Sequence, residues 1–93
     1  MNDTTPTIAA IKDIVARLKR DPGLGTRLDD TADLVDGVGL DSLEMLQFML
    51  ELEERLAIQI DFDQLEFSYL RSIARLAAFL DAMPRRSIAA GAA

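Results

Sequence analysis

Apolar residues recur along this chain at the spacing of α-helices. In the first such stretch they fall on one helical face, at Ile8, Ile11, Ile14 or Val15, and Leu18. Pro6 is suited to the first turn of this helix, with Thr5 as its capping residue. The sequence Asp21-Pro22-Gly23 stops it. We therefore predict a first helix that begins near Pro6 and ends before Asp21.

A second helix is predicted from about Ser42 to Leu56. This stretch contains no Gly or Pro and is rich in Leu, Met and Glu, which all favour helices. Asp41 is followed three residues later by Glu44, which is the pattern of a capping box at a helix start. The connection that precedes this helix, residues 23–40, is long for a compact domain, and loops of this length often carry function.

The remaining elements are shorter. The long connection is expected to be held against the core by Leu28, Leu34 and Val38. One helical turn is predicted at Asp63–Phe67, and a last helix from about Arg71 to Ala82, which Pro84 ends. The inward positions of the last helix are Ile73, Leu76, Ala77 and Leu80. The pattern as a whole predicts an all-α fold.

The second helix carries more apolar surface than one core face requires. At about 100° per residue, one stripe consists of Met45, Phe48, Met49, Leu52 and Leu56, and we assign it to the core. A second stripe, about a third of a turn away, consists of Leu43, Leu46 and Leu50, bordered by Gln47, Glu53 and Glu54. This second stripe is either a docking surface for a partner or a face buried by a neighbouring element.

Length and composition restrict the function. The 93 residues predict a single domain, residues 1–93, with a helical core at about 6–82 and a loose tail at 83–93. The chain has no Cys and no His, which excludes disulfides, thiolate metal sites, a cysteine nucleophile and a histidine base. The acidic residues of the long connection lack the spacing of a calcium loop, so we predict no dedicated metal site.

The charge is unevenly distributed. The net charge of −6 argues against nucleic acid as a partner. Between Asp29 and Glu66 the chain has twelve acidic residues and one basic residue, Arg55. Such a surface either steers basic partners or is simply solvated. The N-terminal stretch does not have the pattern of a signal peptide, and no apolar run is long enough for a membrane helix, so a cytoplasmic protein without membrane contact is expected.

Ser42 is the candidate functional residue. It follows Gly39-Leu40-Asp41 at the predicted start of the second helix, where another enzyme can reach its hydroxyl. A serine at this place either only caps the helix or carries a modification. A hydrolytic triad is excluded without His, and we predict no catalytic residue. A phosphodiester on the serine oxygen would lie near the positive end of the helix dipole, which tolerates an anion.

With these features the sequence resembles the acyl carrier protein family. The matching motif is Gly39-x-Asp41-Ser42-Leu43, followed by a helix that closes on Leu52-Glu53-Glu54-Arg55-Leu56. The similarity runs in register from about Ile8 to Leu80. The resemblance implies a four-helix bundle with a short third helix and a long loop between helices 1 and 2. It also implies that Ser42, flanked by Asp41 and Leu43, receives 4′-phosphopantetheine from coenzyme A, and that acyl groups are then carried as thioesters on the thiol of this arm.

The resemblance implies several partners. A separate phosphopantetheinyl transferase would modify the serine. Enzymes that load and process the acyl group (a ligase or adenylating enzyme, an acyltransferase, a ketosynthase) would dock through basic surfaces. The residues that they would contact are Leu43, Glu44, Leu46, Gln47, Leu50, Glu53 and Glu54. The carrier itself is expected to be a monomer.

Some positions depart from the family pattern. Gln47 stands where many members have a carboxylate, and the segment Asp61–Leu70 is longer and more aromatic, with Phe62, Phe67 and Tyr69. These departures favour a discrete carrier of specialised polyketide, antibiotic or related biosynthesis over one of fatty acid biosynthesis. Asp41 before the serine favours an acyl carrier over a peptidyl or aminoacyl carrier. The alternatives that remain are a peptidyl or aminoacyl carrier and an unmodified acidic adaptor.

Overall fold

Three longer helices and two short ones make up the fold. The computed structural model describes residues 3–85, and its elements in chain order are α1 (Thr5–Leu18), α2 (Leu24–Arg27), α3 (Ser42–Leu56), a 3-10 helix (Phe67–Arg71) and α4 (Ile73–Asp81). The helix α1 packs against α2, α3 and α4, and the 3-10 helix packs on α4. Within residues 3–85 there is no strand, only an isolated bridge between Ile58 and Arg85. The predicted all-α fold is confirmed.

Each of the three longer helices directs one apolar stripe into a shared core. The largest fully buried side chains are Ile11, Ile14 and Val15 of α1, Phe48 and Leu52 of α3, Ile73, Leu76 and Leu80 of α4, and Leu34 of the long connection. The predicted core stripe of α3 is confirmed, with Met45 and Leu56 packed at its edge. Burial of this apolar surface is the main force that holds the helices together. No helix in the described part is both long and apolar enough to cross a bilayer.

The long connection is tied to the beginning of α4. The backbone N–H of Leu34 donates to the carbonyl oxygen of Leu70 at 3.0 Å, and the N–H of Ile73 donates to that of Ala32 at 3.1 Å. Leu34 is fully buried, while Leu28 and Val38 pack at the edge of the core, as predicted for all three. The connection also contains α2, one turn that the sequence analysis treated as loop.

The predicted helical turn at Asp63–Phe67 is wrong in position. The side chain of Asp61 accepts the N–H of Asp63 at 3.0 Å, which makes a turn just after residue 61. The backbone is then extended at Glu66, and the short helix forms at Phe67–Arg71 with 3-10 geometry. Its placement follows from Leu70, which is buried in the core and is hydrogen-bonded to the long connection. That tertiary contact has no local signal in the sequence.

Both α1 and α3 end in Schellman motifs that use residues other than glycine. At the end of α1, Arg20 has a φ of 55°, and the N–H of Asp21 donates to the carbonyl oxygen of Ala16 at 2.9 Å. At the end of α3, Ala57 has a φ of 54°, and the N–H of Ile58 donates to Glu53 at 3.2 Å. These left-handed residues turn the chain sharply at fixed points, so the connections leave each helix in a defined direction.

The ends of the described chain differ slightly from expectation. The N-cap position of α1 is Thr4 rather than Thr5, and its side chain makes no capping hydrogen bond, while Pro6 lies in the first turn as predicted. Residues 83–85 of the predicted tail lie beside the connection after α3, where the N–H of Gln59 donates to the carbonyl oxygen of Pro84 at 2.9 Å. Residues 86–93 of that tail lie outside the described residues.

Candidate functional site

The start of α3 holds Ser42 in a fixed and exposed position. Ser42 is the first residue of the helix, and Asp41 before it is the extended N-cap residue. The N–H of Glu44 donates to Oδ1 of Asp41 at 2.7 Å, and the N–H of Asp41 donates to Oε1 of Glu44 at 3.1 Å. The predicted capping box is therefore confirmed. The capping box fixes the backbone on both sides of Ser42, while the Ser42 side chain is left accessible to solvent.

The residues before the site carry the chain from the core to the surface. Leu40 is buried, and its N–H donates to the carbonyl oxygen of Leu34 at 3.2 Å. Gly39 has a φ of +78°, which is a conformation that L side chains rarely adopt. The chain thus passes within two residues from the anchored Leu40 to the exposed Ser42. This short distance couples the position of the hydroxyl to the core.

Lys19, at the C-terminal end of α1, reaches the same segment. Its ammonium lies 2.9 Å from the carbonyl oxygen of Gly39 and 2.9 Å from Oε1 of Glu44. This hydrogen bond from Lys19, and then that from the N–H of Asp41, lowers the pKa of the Glu44 carboxyl from its ordinary value. The sequence analysis did not single out Lys19. The contact spans 20 and 25 residues of chain, so no local pattern could have revealed it.

One face of α3 beyond Ser42 is apolar and exposed. Leu43 is 65% exposed, Leu46 56% and Leu50 52%. We call these three residues the exposed leucine strip. Of the two interpretations of this stripe, burial by a neighbouring element is wrong for the described chain. Three large apolar side chains in a row on one helix are typical of a surface that another molecule covers.

The polar residues around the strip are used in different ways. Glu53 is partly buried, and its Oε2 accepts the N–H of Ile60 at 2.8 Å. Glu44 is engaged by Lys19 and by the capping box. Gln47 and Glu54 are exposed, and neither has a side-chain hydrogen bond or an ion pair within residues 3–85. Of the polar positions that the resemblance suggested for partner contacts, these two are the most available.

A shallow apolar cleft adjoins Ser42. It has a volume of about 420 Å³ and is lined by Val35, Leu40, Asp41, Ser42, Met45, Leu46, Phe67 and Leu70. Phe67 is 61% exposed and extends the apolar surface from the exposed leucine strip toward the 3-10 helix. The aromatic character of this segment was noted in the sequence, whereas the position of Phe67 beside Ser42 follows from the fold. A larger cleft, of about 620 Å³, lies between residues 59–64 and 82–84, and none of its lining residues carries a hydroxyl group.

The chemistry available around Ser42 is limited. The carboxylate of Asp41 already accepts the N–H of Glu44, and Glu44 pairs with Lys19. Within the described range, no three metal-binding side chains converge. The arrangement therefore offers an accessible hydroxyl that can accept a group from another enzyme.

A comparison with protein families identifies the family to which the chain belongs. The family model described as a phosphopantetheine attachment site matches residues 9–80, which is most of the chain and all of the helical core up to Leu80. The chain belongs to this family. Members of the phosphopantetheine attachment-site family bear 4′-phosphopantetheine as their prosthetic group, so this protein is a phosphopantetheine-bearing carrier. The resemblance to carrier proteins is thereby confirmed. A comparison with curated proteins gave no match.

The start of α3 fits the prosthetic group of this family. A covalently attached phosphopantetheine needs a hydroxyl at the surface and no enclosing pocket. The exposed Ser42 at the first position of α3 meets this requirement, and the positive end of the helix dipole suits the phosphate. The thiol of the prosthetic group supplies the reactive chemistry of the family, which agrees with a chain that contains neither Cys nor His.

Proposed function

We propose that Ser42 is the residue that receives 4′-phosphopantetheine, and that the chain is a discrete acyl carrier without catalytic activity of its own. The observation that supports this most strongly is the exposed hydroxyl at the first position of α3, fixed by the Asp41–Glu44 capping box and adjoined by the exposed leucine strip. The family match supplies the identity of the group to be attached.

The transfer requires a partner enzyme. The Ser42 oxygen forms a bond to the pantetheine-side phosphorus of the coenzyme A diphosphate, the P–O bond between this phosphorus and the bridging oxygen breaks, and adenosine 3′,5′-bisphosphate leaves. The serine proton passes to a base of the transferase. The carrier contributes the position of the oxygen and the surface by which the transferase recognises it.

The exposed leucine strip is proposed as the docking surface for the transferase and for the acyl-loading and acyl-processing enzymes. Leucine provides contact area, while the exposed Glu54 and Gln47 beside it orient a partner that presents basic side chains. Glu44 and Glu53 belong to this surface by sequence, but their carboxylates are already hydrogen-bonded within the protein. Their main contribution is therefore to hold α3 and its neighbours in place.

The cargo is proposed to be an acyl group of fatty acid, polyketide or related specialised biosynthesis. Asp41 before the serine favours an acyl over an aminoacyl or peptidyl cargo, and Gln47 and the aromatic segment after Asp61 favour a specialised pathway. The mass of the thioester on carrier isolated from its host distinguishes these classes. An aminoacyl mass would replace the acyl assignment and leave the carrier function intact.

A modification assay tests the proposal. Apo protein is incubated with coenzyme A, magnesium and a broad-specificity transferase, and the intact mass is recorded. We expect a gain of one phosphopantetheine in the wild type and none in Ser42→Ala. Ser68→Ala is the matched control, because Ser68 is also exposed but lies in the 3-10 helix. A full mass gain in Ser42→Ala would show that the attachment site is elsewhere.

A further inference from the structure

Lys19 joins the end of α1 to both sides of the serine. The carbonyl of Gly39 lies three residues before Ser42, and the carboxylate of Glu44 lies two residues after it. The Lys19 ammonium is 2.9 Å from an oxygen of each. Because Oε1 of Glu44 also accepts the N–H of Asp41 at 3.1 Å, one cation is linked through a single oxygen to the N-cap residue. We call this arrangement the Lys19 clamp.

The backbone from which the Lys19 side chain extends is itself rigid. Lys19 is the C-cap residue of α1, where its N–H donates to the carbonyl oxygen of Val15 at 2.9 Å. The next residue, Arg20, closes the Schellman motif. The lysine therefore extends from a fixed backbone position, and less conformational freedom is lost when its side chain binds.

The clamp is also more sheltered from solvent than the other ion pairs among residues 3–85. The side chains of Lys19 and Glu44 are 26% and 23% exposed, whereas the partner of Lys12, Asp30, is 61% exposed. Partial shielding from water strengthens charge-assisted hydrogen bonds. Among the ion pairs within residues 3–85, the Lys19–Glu44 pair is the one that includes a residue within three positions of Ser42.

The segment before Ser42 needs such an anchor. Gly39 is exposed, and a Cβ built on it would touch nothing within 4 Å, so no side-chain packing restrains this residue. Glycine also has the greatest backbone freedom of any residue. The hydrogen bond from Lys19 to the Gly39 carbonyl restrains the backbone at the point where it is otherwise freest.

We propose that Lys19 is a positioning residue for the transfer of phosphopantetheine to Ser42, which it serves by holding the segment 39–44 in the conformation that the transferase binds. This inference rests on the proposed function of Ser42. Lys19 does not take part in the chemistry. Its loss reduces the fraction of carrier in the binding-competent conformation, and the apparent affinity of the transferase falls by that fraction.

The first test separates binding from chemistry. The kcat and KM of a broad-specificity transferase are measured with apo wild type, Lys19→Met, Lys19→Arg and Lys12→Met as substrates. We expect Lys19→Met to raise KM by about five- to tenfold with kcat changed by less than about twofold, and Lys19→Arg to recover most of the loss. Lys12→Met is the matched control, since it removes another α1 lysine paired at 2.7 Å with Asp30. Its KM should remain that of the wild type.

The second test does not involve the transferase. Amide hydrogen exchange of the apo proteins should be faster at residues 40–43 in Lys19→Met than in wild type, with exchange in the middle of α1 and α4 unchanged. Glu44→Gln removes the other half of the clamp and should raise KM in the same direction. The double variant Lys19→Met/Glu44→Gln should be no worse than the more severe single one, because the two residues act together.

The possible results are distinct. An unchanged KM for Lys19→Met overturns the inference and leaves the proposed function of Ser42 intact. A raised KM with unchanged exchange at residues 40–43 also overturns it, because Lys19 would then contact the transferase directly instead of positioning the serine. If the wild type itself gains no phosphopantetheine at Ser42, the proposed function fails, and this inference fails with it.

Discussion

Arg71 in the 3-10 helix donates to the carboxylate of Asp36 at 2.8 Å and also pairs with Asp33, so one cation holds the long connection against the element that precedes α4. Its guanidinium lies 6.0 Å from the centroid of the Phe67 ring, which is within range of a cation–π contact. The same two elements are joined by the hydrogen bond between Leu34 and Leu70. The apolar cleft beside Ser42 is lined by residues of both of these elements and of α3.

Replacement of Arg71 should loosen the long connection. Arg71→Met removes both ion pairs, and we expect a lower free energy of unfolding in urea and faster amide exchange at Leu34. Arg75→Met is the matched control, because Arg75 is an exposed arginine of α4 without an ion pair in the described chain. Equal stability of the two variants would mean that the pairs of Arg71 are too solvent-exposed to contribute.

The left-handed end of α3 offers a stabilising substitution. Ala57 has a φ of 54°, where an L residue is disfavoured by about 1 kcal/mol relative to glycine. Ala57→Gly should therefore raise the free energy of unfolding by about 0.5–1 kcal/mol. Ala78→Gly, at an exposed position inside α4, should lower it by about 1 kcal/mol. Urea denaturation of both variants tests whether the free energy of unfolding changes in opposite directions. A loss of stability in Ala57→Gly would contradict the assigned Schellman motif.

Acid should destabilise the protein through groups with lowered pKa values. The Lys19 ammonium, and then the N–H of Asp41, lowers the pKa of Glu44 from its ordinary value. For Asp33, burial acts to raise the pKa, but the N–H of Asp36 and the Arg71 guanidinium outweigh it, so the pKa is lower than that of an ordinary aspartate. At pH values between the folded and the unfolded pKa of such a carboxyl, the unfolded chain binds more protons than the folded chain. These groups therefore stabilise the fold at pH values above their unfolded pKa, and they cease to do so as the pH falls through their folded pKa.

The corresponding measurement is the urea midpoint at a series of pH values from about 6 to about 2.5. We expect a plateau above about pH 5 and a progressive decrease below it. The variant Asp33→Asn lacks one of the titrating groups and should lose less stability over the same range. A midpoint that does not change with pH in the wild type would show that these carboxylates are equally protonated in the folded and unfolded states.

The two stripes of α3 should respond differently to truncation. Leu46→Ala removes an exposed side chain, so the free energy of unfolding should change by less than about 0.5 kcal/mol while acyl loading becomes slower. Leu52→Ala removes a fully buried side chain and should cost about 2–5 kcal/mol. Loading kinetics and urea denaturation of the same preparations test both. Normal loading of Leu46→Ala would exclude that leucine from the docking surface.

Charge reversal should have different effects on stability at the two neighbouring glutamates, Glu53 and Glu54. Glu54→Lys changes an exposed carboxylate, and we expect slower loading at low salt with unchanged stability. Glu53→Lys also removes the acceptor of the Ile60 N–H, so it should lower stability as well. Loading rates that were indifferent both to Glu54→Lys and to added salt would contradict electrostatic steering by this face.

Much of this fold could be predicted because its signals are local. The bounds of α3 follow from helix-forming residues between the Asp41 cap and the turn after Leu56. The capping box is predicted by the spacing of Asp41 and Glu44. The separation of α3 into a core stripe and an exposed stripe follows from the helical period. Ser42 could be singled out because its motif and the following helix lie in one continuous stretch.

The parts that could not be predicted depend on contacts between distant residues. The 3-10 helix lies at Phe67–Arg71 because Leu70 meets Leu34 across the fold, whereas the local composition favoured a turn four residues earlier. The exposure of the leucine strip depends on where the other helices lie, which periodicity does not specify. The Lys19 clamp likewise requires that the end of α1 and the start of α3 be neighbours.

Peptide mapping after modification tests the attachment at Ser42 most directly. Cleavage after Arg27 and Arg55 releases residues 28–55, a peptide in which Ser42 is the only serine, while Ser68 falls in residues 56–71. After incubation with coenzyme A and a transferase, we expect phosphopantetheine on residues 28–55, with fragment ions that assign it to Ser42 rather than to Thr31. Phosphopantetheine on residues 56–71, on Thr31, or on no peptide after complete incubation would contradict the account.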